Sequence, residues 1–175
     1  SQRAQSRSRR AMIARRCIAS PLGPLLLAVR DGALVSLQFG APEAPATDTD
    51  TVLLEAERQL AAYFDGRLRS FDLPLQLDGT GFQRAVWRAM LRIPYGFTRH
   101  YGELAHEAGA PARAVGTACG SNPIAIIVPC PRVVGADGRL TGYSGGQGVE
   151  TKAWLLRHEQ AVPLSDQLSL FAKAK

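Results

Sequence analysis

The spacing of apolar residues along the chain predicts a sheet first and helices afterwards. Met12 to Ala19, Pro24 to Arg30 and Ala33 to Phe39 read as strands, and Asp31-Gly32 supplies the positive φ angles of a tight turn between the second and third. These three segments predict a small antiparallel sheet. The stretch 40–50, where Pro42 and Pro45 stand among Ala, Thr and acids, predicts a loop. From Thr51 to Asp65 the period lengthens: Leu53, Glu57, Leu60, Ala61 and Phe64 share one helical face, and Gly66 suits a left-handed stop. Phe71, Leu73 and Leu75 then alternate as a further strand. No reactive group stands out in this half, which reads as scaffold.

The composition shifts at Asp78-Gly79, which is taken as a domain boundary. It separates a first domain over 12–78 from a second over 79–161, with an arm at 1–11 and a tail at 162–175. Thr80 and Gln83 have capping-box spacing and open a helix lined on one side by Phe82, Val86, Ala89 and Met90, ending before Pro94. Thr98 is placed as the cap of a helix bearing Tyr101, Leu104, Ala105 and Ala108, with Gly109 as its stop. Pro111 suits the first turn of another helix that runs through Gly120 and carries Arg113, Val115, Ala118 and Cys119. Two short helices around a Gly-containing turn predict a helix-turn-helix, a pattern many helical proteins share. After a turn at Asp137-Gly138 and a glycine-rich segment from Thr141 to Gly146, Val149 to Glu159 closes the domain as a helix with Trp154, Leu155 and Leu156 inward.

Between these helices, Ser121 to Arg132 holds the clearest chemical potential. Ile124 to Val128 is a short β-branched run with turn residues on both sides, the pattern of a strand buried on both faces, and it delivers Cys130 to its end. Pro129 and Pro131 on either side fix their own φ and bias their neighbours toward extended backbone, so the thiol is aimed. Two readings stay open on this stretch alone: a reactive thiol, or the small buried hydrophobe that a free cysteine usually is.

The totals narrow the classes. A chain of 175 residues with 46 % apolar content can build a real core. No apolar run approaches the roughly 18 residues of a membrane span, and no apolar segment follows the Arg-rich start, so a soluble cytoplasmic protein is expected. Cys17, Cys119 and Cys130 are odd in number and widely spaced, which argues against a disulfide framework or a thiolate zinc site. The net charge of +6 favours a polyanionic partner. Arg3, Arg7, Arg9, Arg10, Arg15 and Arg16 sit among Ser, Gln and Ala and read as a disordered basic arm or a solvated tail.

Taken in order, the motifs resemble a known family. Thr80-Gly81-Phe82-Gln83, Ile93-Pro94-Tyr95-Gly96, Tyr101-Gly102-Glu103-Leu104-Ala105, Arg113-Ala114-Val115-Gly116, Asn122-Pro123, Pro129-Cys130, Gly142-Tyr143-Ser144-Gly145-Gly146 and Trp154-Leu155-Leu156-Arg157-His158-Glu159 resemble the O6-alkylguanine-DNA alkyltransferases. The match is dense from Thr80 to Glu159 and looser over the first hairpin. It implies a mixed α/β (α+β) protein, with a ribonuclease-H-like N-terminal domain followed by a winged helix-turn-helix C-terminal domain. It also implies a monomer that needs no cofactor or metal, binds the minor groove of double-stranded DNA and flips an O6-alkylguanine out of the stack. Carried over residue by residue, Cys130 is the acceptor that takes the alkyl group irreversibly and Tyr101 donates to the guanine ring. Arg113 fills the gap left by the base, and Asn122 braces the turn. Tyr143, Ser144 and Gly145 hold the base, the Val133 backbone reads its exocyclic amine, and Glu159 is the outer member of a Cys–His–Glu relay.

The chain departs from that pattern in two places. Pro131 stands where the family has histidine directly after the cysteine, and it can neither accept a proton nor polarise a water. Loss of a general base typically costs ~10²–10⁴ in rate. Gly109 to Arg113 is also two residues shorter than the family's usual turn, which leaves the neighbouring register open for the intercalating arginine. The alternative function is a lesion sensor that binds O6-alkylguanine without efficient transfer and recruits other repair proteins. A remoter reading takes Cys130-Pro131 as a haem-binding dipeptide. Near the C-terminus, Gln167-Leu168-Ser169-Leu170-Phe171 resembles the pentapeptide by which bacterial repair proteins dock on the β sliding clamp, with Gln167, Leu168, Leu170 and Phe171 as its contacts.

Overall fold

A computed structural model describes residues 12–140, 143 and 145–164. The expected first sheet is present: β1 (Ile13–Ile18), β2 (Leu25–Arg30) and β3 (Ala33–Phe39) pair antiparallel in that order. The turn at Asp31-Gly32 takes positive φ at both residues. Arg15 and Arg16, read as part of the basic arm, belong instead to β1, where Arg16 pairs with Glu57 at 2.5 Å. The remaining arginines of that arm lie outside the described residues.

Helix α1 (Thr51–Phe64) is capped by the Asp50 side chain, which accepts from the Val52 N–H, and it lays Leu53, Ala56, Leu60 and Tyr63 against the sheet. The strand expected at Phe71 to Leu75 does not form. That segment runs along the edge of β3 and touches it in a single bridge, Leu34 to Leu75, and its apolar residues pack on the core without a ladder. Alternation in sequence reported the half-burial of this segment correctly but had no way to supply a second hydrogen-bonding partner.

In the second half, α2 (Gly81–Leu91) starts with the expected capping box of Thr80 and Gln83. Its Trp87 Nε1 donates to the Ala118 carbonyl at 2.8 Å, and a Cβ on Gly79 would meet that indole at 2.6 Å. β4 (Phe97–His100) precedes α3 (Tyr101–Ala108), so Thr98 is a buried strand residue and His100 occupies the N-cap, its N–H answered by Glu103 at 3.1 Å. Gly109 ends α3 in the left-handed conformation and Pro111 caps α4 (Ala112–Gly120), giving the helix-turn-helix. β5 (Val133–Val134) and β6 (Val162–Pro163) flank β4 in a small parallel sheet, and α5 (Val149–His158) ends at Glu159.

The largest correction concerns Ile124 to Val128. It is not a strand: Ile124 makes one bridge to Leu37, Ile126 adopts φ 71°, and the chain turns on itself before a short 3₁₀ turn at Cys130–Arg132. The apolar run is deeply buried, as a core strand would be, but its backbone is served by other partners. Leu37 N–H donates to the Pro123 carbonyl, Ala125 N–H to that of Leu37, and the Asn122 amide to that of Val128. The turn is thereby stitched to β3, and Cys130 stands where the two halves of the molecule meet.

Candidate active site

Cys130 opens the 3₁₀ turn and is 4 % exposed, yet its side chain lines a cavity of about 510 Å³. That volume falls within the ~300–1,000 Å³ of small-ligand sites. The cavity lies between the halves: β3 contributes Phe39, the end of α4 contributes Cys119 and Gly120, and the turn and glycine-rich segment contribute Asn122, Tyr143 and Gly145. Gly145 is required by crowding, since a Cβ there would come within 2.8 Å of the Phe39 ring and 3.0 Å of the Tyr143 hydroxyl. Phe39 and Tyr143 meet edge to face at 6.4 Å.

The polar groups of this wall are unevenly satisfied. Asn122 spans the turn, donating to Val128 O at 2.8 Å and accepting from Ile124 N–H at 3.0 Å. The Tyr143 hydroxyl is buried without a hydrogen-bond partner among the described residues. Burial and the nearby Cys130 push its ionisation well above the ordinary phenol value. A buried hydroxyl left open in this way costs ~1–3 kcal/mol, which a ligand in the cavity could recover. The Cys130 thiol donates to the Cys119 carbonyl at 3.1 Å, and the adjacent Cys119 thiol together with burial raises its pKa well above the ordinary 9.0.

Opposing that rise is Lys152, a residue on α5 that sequence reasoning did not single out. It is 1 % exposed, donates to the Val133 carbonyl at 2.6 Å, lies 3.3 Å from the Tyr101 hydroxyl, and its charge favours the Cys130 thiolate. Its own pKa is lowered by burial. The available signal was its place two residues before Trp154 on the inward face of the last helix, where a lysine breaks the apolar pattern.

On the other side of Cys130 the turn is closed. The Glu159 carboxylate receives Arg132 Nε at 2.8 Å, Arg132 Nη2 at 3.1 Å and the Tyr63 hydroxyl at 2.7 Å, while Arg132 Nη1 donates to Ile93 O at 2.7 Å. Pro131 is buried between this cluster and Cys130, in contact with a void of about 10 Å³.

Two family models cover most of the chain. The ribonuclease-like domain of 6-O-methylguanine DNA methyltransferase matches residues 13–77, and the DNA binding domain of the same family matches residues 81–161. A methylated-DNA–protein-cysteine methyltransferase of Mycobacterium tuberculosis is 49 % identical over 167 residues, covering 91 % of this chain and 99 % of that protein. One of Methanosarcina barkeri is 49 % identical over 151 residues, covering 82 % and 94 %. A solved structure of Mycobacterium tuberculosis OGT in complex with DNA superposes with a TM-score of 0.75 at 48 % identity, covering 90 % of this chain and 99 % of that one. The chain belongs to the methylated-DNA–protein-cysteine methyltransferase family. The mixed α/β architecture, with a sheet-bearing N-terminal domain and a helical DNA-binding C-terminal domain, is that of the family.

For this methyltransferase-family chain, the residues expected at the site fall into three groups. Cys130, Asn122, Tyr143 and Gly145 share the cavity. Tyr101 and Val133 are joined to one another through Lys152, one acceptor direction of the Val133 carbonyl being taken by its ammonium. Arg113 is exposed at the start of α4, away from the cavity wall and on the same open face as Thr117. Ser144, Gln167, Leu168, Leu170 and Phe171 lie outside the described residues. The three imidazoles do not replace a missing base: His100 caps α3, His106 sits in its last turn, and His158 contacts the Tyr63 carbonyl at 2.7 Å while stacking on Trp154. Among the described residues no group of three or more His, Cys, Asp and Glu converges to hold a metal ion.

Proposed function

We propose that the protein repairs alkylated DNA by transferring the alkyl group from guanine O6 to Cys130, once per molecule. The observation that carries this reading is the pairing, in one cavity, of the Cys130 sulfur with the buried Tyr143 hydroxyl, which has no hydrogen-bond partner among the described residues. A thiol alone would suit a core position; a thiol facing an open polar contact suits a guest. The base reaches the cavity by leaving the duplex, since an in-line attack on the O6 substituent needs an unstacked guanine. The outer face of α4 supports such an approach: Arg113 and Thr117 are exposed, and a Cβ at Gly116 or Gly120 would meet only open space. Gly120 also borders the cavity, so a base leaving DNA held on that face has a short path to the sulfur.

In the proposed step the Cys130 thiol gives its proton to water and its sulfur lone pair attacks the alkyl carbon. The carbon–O6 bond breaks, its electron pair returns to the guanine, and Tyr101 donates to the ring as charge develops there. Tyr143, Ser144 and Gly145 hold the base, and the Val133 backbone reads its amine. Arg113 occupies the vacated stack. Asn122 keeps the turn in place. Glu159, expected as the outer member of a relay, supports the turn instead, because Pro131 offers no group to carry a proton between it and the sulfur and its oxygens already answer Arg132 and Tyr63. Docking of the tail on a sliding clamp through Gln167, Leu168, Leu170 and Phe171 remains part of this proposal; deleting 167–175 abolishes binding to purified clamp if it holds.

A second reading, the lesion sensor, is favoured by Pro131 together with the raised thiol pKa. One experiment separates the two. The protein is incubated with a duplex bearing a single O6-methylguanine and the Cys130 peptide is weighed, with Cys130→Ser as control. Gain of one methyl is the expected result; tight binding with no mass change would establish the sensor. Pro131→His restores an imidazole beside Glu159 and is expected to accelerate transfer by ~10²-fold if the missing base limits the rate.

A further inference from the structure

Cys119 and Cys130 stand eleven positions apart in the chain, but the last turn of α4 brings one against the other at the start of the 3₁₀ turn. Each is 4 % exposed, and both line the same cavity. The Cys130 sulfur lies 3.1 Å from the Cys119 carbonyl oxygen. That oxygen sits ~2.4 Å from its own Cα, which keeps the sulfur within about 5.5 Å of the Cys119 Cα. A Cys119 side chain turning about that Cα sweeps its sulfur toward the Cys130 sulfur, and the two thiols are already close enough to interact, the approach that the ~2.0 Å bond of a disulfide requires. Cys17 takes no part: it pairs with Leu26 in the first sheet and its N–H donates to the Ala46 carbonyl.

We propose that Cys119 is a resolving cysteine for Cys130, the pair closing into a reversible disulfide that withdraws the acceptor sulfur under peroxide and shields it from irreversible oxidation. The step balances with hydrogen peroxide as oxidant. The Cys130 thiolate attacks one peroxide oxygen, the O–O bond breaks, and a sulfenic acid and hydroxide form. The Cys119 sulfur then attacks the sulfenic sulfur and displaces its hydroxide, which leaves as water with the Cys119 proton. Two thiols and one peroxide give one disulfide and two waters, and a dithiol reductant reverses the change. The Lys152 ammonium, whose charge acts on both sulfurs, favours the Cys130 thiolate that makes the first attack. The consequence for transfer rests on the function proposed above; the bond itself does not.

The test treats the full chain with hydrogen peroxide, digests it with trypsin without reduction, and weighs the peptide from Ala114 to Arg132, which contains both cysteines and excludes Cys17. The peptide is expected to lose two hydrogens, methyl transfer to fall in proportion, and dithiothreitol to restore both. In Cys119→Ser the same peptide should instead gain two or three oxygens, and its transfer, relative to the untreated variant, should not return on reduction. Oxygen gain in the unmodified chain without hydrogen loss overturns the proposal, as does recovery of Cys119→Ser equal to that of the parent. Hydrogen loss in a protein that accepts no methyl group supports the disulfide and counts against the transfer reading alone.

Discussion

The two sides of the Cys130 turn are built on opposite principles. Toward the cavity, a thiol and a phenol are buried with capacity to spare, the Tyr143 hydroxyl having no partner among the described residues. Toward α5, the Glu159 carboxylate is met by a two-point contact from Arg132 and by Tyr63, a residue 96 positions earlier in the chain. One proline separates them. The difference teaches how to tell chemistry from architecture among buried polar groups: a matched charge holds two elements together, whereas an open polar atom in a cavity waits for a guest.

The comparison predicts its largest effect on the closed side. Arg132→Met leaves the Glu159 carboxylate buried without its cation, and breaking a buried pair in this way costs ~3–5 kcal/mol. Urea unfolding should show that loss, while protein that remains folded transfers methyl groups at a rate within a few-fold of the parent. A collapse of transfer with unchanged stability would make the closed side part of the chemistry and dissolve the contrast.

How much of this could be read in the sequence depended on whether the signal was local. The capping box at Thr80-Gln83, the hairpin at Asp31-Gly32 and the stop at Gly109 each rest on contacts within a few residues, and all three are present. Ile124 to Val128 failed as a strand because burial and strand pairing leave the same β-branched signature, and only the tertiary partners Leu37 and Asn122 decide between them. Cys130 stood out from its own stretch, an apolar run ending between two prolines, whereas Tyr143 was named through motif order. Lys152, Cys119 beside Cys130, and the Tyr63–Glu159 bond were not, because each joins distant segments and no periodicity marks a pair formed across a fold.

Tyr63→Phe tests the closed side more gently. It removes one hydrogen bond to a charged partner, worth ~1.5–3 kcal/mol, and leaves the ring packed against Phe71 and Tyr95. Burial first, and then the Glu159 charge, hold the phenol protonated well above its ordinary 10.0. A raised folded-state pKa means that this contribution is complete below pH 10 and is lost as pH climbs beyond it. Urea titrations at pH 7 and pH 10.5 should therefore show the parent and Tyr63→Phe converging at the higher pH. A gap that stays constant would mean that the hydroxyl is not what ties α1 to Glu159.

The smallest effect is expected on the open side, from Lys152→Met. The thiolate is the nucleophile, and burial with the Cys119 thiol beside it lifts the Cys130 pKa above 9.0, so the thiol form dominates at neutrality and transfer accelerates as pH rises. Lys152 works against that lift. Removing its charge raises the Cys130 pKa further, and each unit lowers the thiolate fraction at pH 7 roughly tenfold. The rate profile from pH 6 to pH 9 should keep its slope and move to higher pH, and alkylation of Cys130 by iodoacetamide, which needs no DNA, should move with it. If transfer falls while the iodoacetamide profile stays in place, Lys152 serves the base through Tyr101 and Val133 and not the sulfur, and the open side has its cation aimed at the guest.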